Sequence, residues 1–187
     1  MPKLALKISE SIVAEMRPTL ENIPRADSLI RACTLGLTIG TGYVGGAALG
    51  TAAYVAGEIA AKIVTDLTGI PQSITCTVGG AGCSASLINY LGNSNSPASL
   101  ALKFGVAVSS ICWSSAYGAG PTYEGVTEDI ENRSRYWQIN GLLAGSAIAV
   151  GGACLGNPAL GVFVGGIVSN LIAKVGRLPE VQHLHDA

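Results

Sequence analysis

Five cysteines, two histidines and one glycine-rich hexapeptide are the residues through which this chain could do chemistry. His183 and His185 stand together near the C-terminal end. Two ligands without a third do not define a zinc site, so solvated tail histidines are the plainer reading. Gly40-Thr41-Gly42-Tyr43-Val44-Gly45 spells the dinucleotide-binding fingerprint. That fingerprint needs a strand before it, a helix after it and an acid about twenty residues on. Residues 33–39 could pass as the strand and Asp66 as the acid, yet no further βαβ pattern follows. The hexapeptide also sits inside an uncharged run between Arg31 and Glu58, a length suited to lipid.

Glu124, Glu128, Asp129 and Glu131 lack the apolar surroundings that would tune a carboxyl for acid–base work, so they read as a solvated loop. Asn132-Arg133-Ser134 is a glycosylation sequon, of consequence only in a secretory compartment. No Ser/His/Asp set surrounds a nucleophile turn. The expectation is a chain without an active site: no catalytic, cofactor-binding or metal-ligating residue is assigned.

The elements that position these residues are apolar. Charged residues make up 12% of 187 positions and the mean hydropathy is +0.45, against about 25% charged in ordinary soluble proteins. A net charge of −1 supplies no field for nucleic acid. Residues 136–173 contain no Asp, Glu, Lys or Arg and are broken only by Gly156-Asn157-Pro158. One helical crossing needs about twenty apolar residues, so this run predicts a transmembrane hairpin. Small residues recur every fourth position on both arms: Gly141, Gly145, Ala149 and Ala153, then Gly161, Gly165, Ser169 and Ala173. Such spacing lines one helix face and lets two backbones approach closely.

The predicted organisation is an all-α membrane protein of four spans with GxxxG-type packing. Residues 1–28 form an N-terminal amphipathic tail and residues 29–176 the membrane domain. Its spans cover about 29–55, 98–118, 137–155 and 159–175, and residues 177–187 form a C-terminal tail. In the tail, Leu4, Leu6, Ile8, Ile12 and Val13 alternate with charges, and Pro18 and Pro24 interrupt the pattern. The mixed charges of residues 1–31 match neither a secretory signal nor a transit peptide.

In the first span Gly36 and Gly40 share one four-residue register, and Gly42, Gly46 and Gly50 share another. Ala101, Gly105 and Ser109 supply a small face to the second. Residues 58–97 read as a long connecting loop with a short helix, being uncharged in part but rich in Gly, Ser and Asn. Trp113 and Tyr117 before the polar loop, and Tyr136 and Trp137 after it, predict two helix ends at one membrane–water boundary. Four spans would put both termini on one side.

Cys33 falls near the start of the first span and Cys112 late in the second. If those helices run antiparallel in an oxidising compartment, the two thiols could form a disulfide, provided their α-carbons come within about 7 Å. Two buried free thiols are the alternative. Cys76, Cys83 and Cys154 are expected to be reduced.

Four spans with GxxxG faces, a Cys at the first helix, another late in the second, and Asn140-Gly141-Leu142-Leu143-Ala144-Gly145 after a charged loop resemble the mitochondrial Tim-translocase family. Within it, the Tyr before the third span's glycines and the closing Gly176-Arg177-Leu178 resemble the branch that serves as accessory subunits of respiratory complex I. Translocase members carry an Arg followed four residues later by an Asp before the third span; this chain has Asp129 and Arg133, signs reversed.

The resemblance implies the mitochondrial inner membrane, both termini in the intermembrane space, and a Cys33–Cys112 disulfide. It also implies a non-catalytic role in stabilising the membrane arm of an NADH:ubiquinone reductase. Expected partners are the core and accessory subunits of that arm, phospholipid (cardiolipin being one candidate) and neighbouring complexes in a supercomplex; nucleic acid is not among them. A channel or scaffold subunit of the import translocase is the alternative. A positive-inside count would instead place the termini side in the matrix.

Overall fold

The computed structural model describes residues 26–92, 94–120 and 128–176, with single positions 10, 11 and 14. Most of the expected amphipathic tail, residues 121–127 of the polar loop and the histidine-bearing C-terminal tail therefore lie outside the described residues. Those described form five helices and no strand: α1 (Ala26–Thr68), α2 (Gln72–Tyr90), α3 (Pro97–Ala119), α4 (Glu128–Cys154) and α5 (Pro158–Val175). Three helical stretches among the described residues are long and apolar enough to cross a membrane: Ser28–Thr68, Pro97–Ala119 and Pro158–Val175.

Local chemistry sets the boundaries. Gly69, at φ 72°, closes α1 by donating its N–H to the Thr65 carbonyl at 2.8 Å, and Pro71 prevents continuation. Ser96 caps α3, accepting from the Ser99 N–H at 3.3 Å, with Pro97 in the first turn. Asn157 does the same for α5 through the Leu160 N–H at 3.1 Å. In α1 the hydroxyls of Thr34, Thr38 and Thr41 donate to carbonyls one turn back, at 2.8, 2.7 and 2.8 Å. Those threonines thus need no water for their donors.

Helix directions follow from which residues meet. Gly42, Gly46 and Gly50 of α1 face Ala98, Leu102 and Val106 of α3 in rising order, so these two helices are parallel. Tyr54, Gly57 and Thr65 of α1 meet Gly80, Gly79 and Thr75 of α2 in falling order, so α2 is antiparallel to both. Ser115 bonds the Gln138 carbonyl while Ile111 lies against Gly145, which makes α4 antiparallel to α3. Ser114 beside Gly166 and Gly118 beside Ala173 make α5 parallel to α3. The bundle alternates up, down, up, down, up. Its central apolar cluster joins Ile88, Val106, Ile111, Ala149, Ala159 and Val162.

Three expectations are corrected here. Residues 58–97 are not mainly loop: α1 runs on to Thr68, and α2 is a 19-residue helix. The described residues form five helices, of which three are long and apolar enough to cross a membrane, where four spans with a short helix between the first two were expected. The start of α1 and the end of α5 consequently lie at opposite ends of the bundle, not on one side. The cause is α2, whose Gly, Ser and Thr content hides it from a hydropathy reading. Its glycines instead admit the α1 backbone and the Tyr54 ring, so protein packing supplies what apolarity does not.

Candidate functional site

The helix interfaces, built from small residues, are the feature with the most capacity to do something. A Cβ added at Gly46 would be driven into the Leu102 carbonyl, and one at Gly50 would lie 2.8 Å from the Val106 Cα. At Gly42 it would meet the Ala98 carbonyl at 2.9 Å. Gly105 returns the contact from α3, against the backbone of residues 43–47. The α4–α5 hairpin repeats the arrangement. A Cβ at Gly141 would sit 2.5 Å from the Ser169 carbonyl, one at Gly145 2.6 Å from the Gly165 carbonyl, and one at Gly161 2.9 Å from the Ala149 carbonyl. A Cβ at Gly165 would stand 2.5 Å from the Gly145 carbonyl in return. Gly36 and Gly40 differ: a side chain at either would meet nothing within 4 Å.

Between these contacts runs a seam of hydroxyls and one amide, which sequence reading passed over in part. Tyr54 is fully buried, its ring held between α2 and α3, with Ser114 Oγ donating to its hydroxyl at 3.2 Å. Its ring neighbours Trp113 and Tyr117, with centroids 6.3 and 6.1 Å away. The buried Asn170 donates Nδ2 to the Ser114 carbonyl at 3.0 Å, and Ser169 Oγ donates to the Ile111 carbonyl at 3.4 Å. Thr51 and Ser109 share a hydrogen bond of 2.8 Å, and Ser115 Oγ donates to the Gln138 carbonyl at 2.9 Å. Among the described residues three buried hydroxyls, Ser84, Ser99 and Ser110, find no hydrogen-bond partner. The signal that could have found Tyr54 was its position one turn after Gly50, on the glycine face.

All five cysteines are free thiols. The expected Cys33–Cys112 disulfide fails on geometry. It required antiparallel helices, and α1 and α3 are parallel. Cys33 lies nine positions before Gly42, about 13 Å along the axis, while Cys112 lies fourteen positions beyond Ala98, about 21 Å the other way. A disulfide needs α-carbons within about 7 Å. Cys76 is buried with its thiol 3.9 Å from the Glu58 carbonyl, whereas Cys112 and Cys154 are exposed.

The other candidates of the sequence are placed as follows. Residues 40–45 lie in the middle of α1 with helix on both sides, so the hexapeptide has none of the strand-to-helix geometry that dinucleotide binding requires. Among the described residues no group of three or more His, Cys, Asp or Glu side chains could hold a metal ion. On the outer side of α1 and α2 lies an open groove of about 410 Å³, lined by residues such as Ala60, Val64, Ile74 and Val78, with Cys83 at its wall. Its walls are almost wholly apolar.

No family model, curated protein or solved structure matches this chain.

Proposed function

We propose that the chain is a non-catalytic membrane subunit whose helices brace a larger assembly. The more specific form of the proposal is an accessory subunit of mitochondrial complex I, resembling the one called alpha-subcomplex subunit eleven, in the inner membrane and in contact with membrane-arm subunits and phospholipid. The observation that carries the general reading is the interior. Among the described residues its buried polar groups are mainly hydroxyls and an amide, most of them spent on bonds between helices, whereas proton or electron carriers use ionisable or redox groups there. The apolar groove on α1 and α2 suits hydrocarbon, which supports the lipid contacts in this reading.

The complex I reading rests on the sequence resemblance, and the additional helix α2 is a departure from the four-span pattern behind it. The import-translocase reading would use Ser109, Ser110, Ser114, Ser115 and Asn140 to line a polar groove. In this bundle Ser109, Ser114 and Ser115 are buried and already bonded to neighbouring helices, which favours the bracing role.

Native gel electrophoresis of solubilised membranes tests both. Co-migration with NADH dehydrogenase activity, and loss of that band when the chain is removed, is the expected result. Co-migration with import components would replace it by the second reading, and a lone homo-oligomer would overturn both.

A further inference from the structure

We propose that Ser84 of α2 and Ser110 of α3 together form a seat for one buried water molecule that bridges the two helices. Both side chains are fully buried, and neither hydroxyl has a partner among the described residues. Their register places them on the same rung. One turn from Ser84 toward the start of α2 is Gly80, and one turn from Ser110 toward the end of α3 is Ser114; both touch Tyr54. One turn the other way are Ile88 and Val106, which belong to one apolar cluster. Because α2 and α3 run antiparallel, the rung between these two contacts is the one that holds Ser84 and Ser110.

The chemistry of the seat selects water. Each hydroxyl offers one donor and two acceptor lone pairs. A bridging water satisfies both hydroxyls at once, and a buried water of this kind makes two to four hydrogen bonds. The rung lies between the Tyr54 ring on one side and Ile88 and Val106 of the apolar cluster on the other. The seat also gives α2 a specific polar tie to the centre of the bundle.

The test uses the full chain in detergent micelles, with unfolding followed by tryptophan fluorescence for Ser84→Ala, Ser110→Ala and the double variant. Either single variant leaves the bridging water one partner short inside the bundle, so each should shift the unfolding equilibrium roughly threefold to tenfold toward the unfolded state. The double variant, with both polar groups gone, should return close to the parent. Single variants equal to or more stable than the parent, with additive effects in the double, would overturn the proposal. Water-to-side-chain magnetisation transfer by solid-state NMR is the second measurement. A signal at Ser84 and Ser110 in the parent that disappears in the double variant is expected, and its absence from the parent overturns the water seat even if the two serines prove coupled.

Discussion

Helix α1 carries two glycine registers of similar spacing, and they meet different fates. Gly42, Gly46 and Gly50 are pressed against the α3 backbone, whereas Gly36 and Gly40, two to fourteen residues earlier, face open space. The two registers lie on different sides of α1: Gly40 is two positions from Gly42 but about 200° round the helix, and Gly36 falls before α3 begins. At 43 residues α1 is about 64 Å long, while α3 at 23 residues is about 35 Å and starts level with Gly42. Spacing alone makes a face; only a partner helix that lies on that side and reaches that level makes it an interface. In the same way Leu35 and Ile39 are exposed while Leu102 and Val106, opposite the packed register, are buried.

The largest effect that tests this contrast is expected from Gly46→Ala. The added methyl would enter the Leu102 carbonyl, part of a helix backbone that cannot swing aside. Overpacking costs about 1–3 kcal/mol where side chains can yield, and a backbone clash belongs at or above the upper end. Unfolding in detergent should show a loss of about 3 kcal/mol or more, or no folded protein. A variant as stable as the parent would mean that α1 and α3 are not in contact there.

Gly80→Ala comes next. Its methyl would lie 2.6 Å from the Tyr54 ring, a side chain that can yield more than a backbone can, so about 1–3 kcal/mol is expected. Combining it with Tyr54→Leu should recover part of the loss, because the obstacle is the ring; strict additivity in a double-mutant cycle would refute that. This pair extends the contrast to α2, where glycine makes room for an aromatic ring instead of a carbonyl.

The sequence reading drew its strength from charge and small-residue spacing, and of the uncharged run 136–173 only the second arm is among the described helices apolar enough to cross a membrane. Residues 158–175 form one of the helices apolar enough to cross a membrane, as did residues 97–119, close to the spans drawn for them. It failed at α2 because Gly79, Gly80, Ser84 and Ser86 look like loop residues until Tyr54 and Gly57 are seen packed against that helix. Missing one helix reversed the inferred directions of its neighbours, and with them the cysteine pairing. The polar seam was half legible. The serines of α3 were noticed as a set, but their partners Tyr54, Thr51 and Asn170 come from two other helices, and no local pattern joins them.

Gly40→Ala should have a smaller effect of opposite sign. With nothing near the new methyl, only helix propensity changes, and Ala is favoured over Gly by up to about 1 kcal/mol in a helix interior. A small gain in the unfolding midpoint of the purified chain is expected. A loss comparable with that of Gly46→Ala would erase the distinction between the two registers.

The smallest effect concerns Cys33, which lies in the free part of α1, and Cys112, far along α3. A disulfide typically contributes 2–4 kcal/mol, so its presence would be plain when oxidising and reducing conditions are compared. Parallel helices place these thiols at different levels, and the expected difference between the two conditions is nil, in the parent and in Cys33→Ser/Cys112→Ser alike. Labelling with a membrane-permeant maleimide should be faster at exposed Cys112 and Cys154 than at buried Cys76. A non-reducing digest that yields a peptide pair containing Cys33 and Cys112 from one chain would require α1 to shift by many turns against α3. The contact between Gly46 and Leu102, on which the whole contrast rests, could not survive that shift.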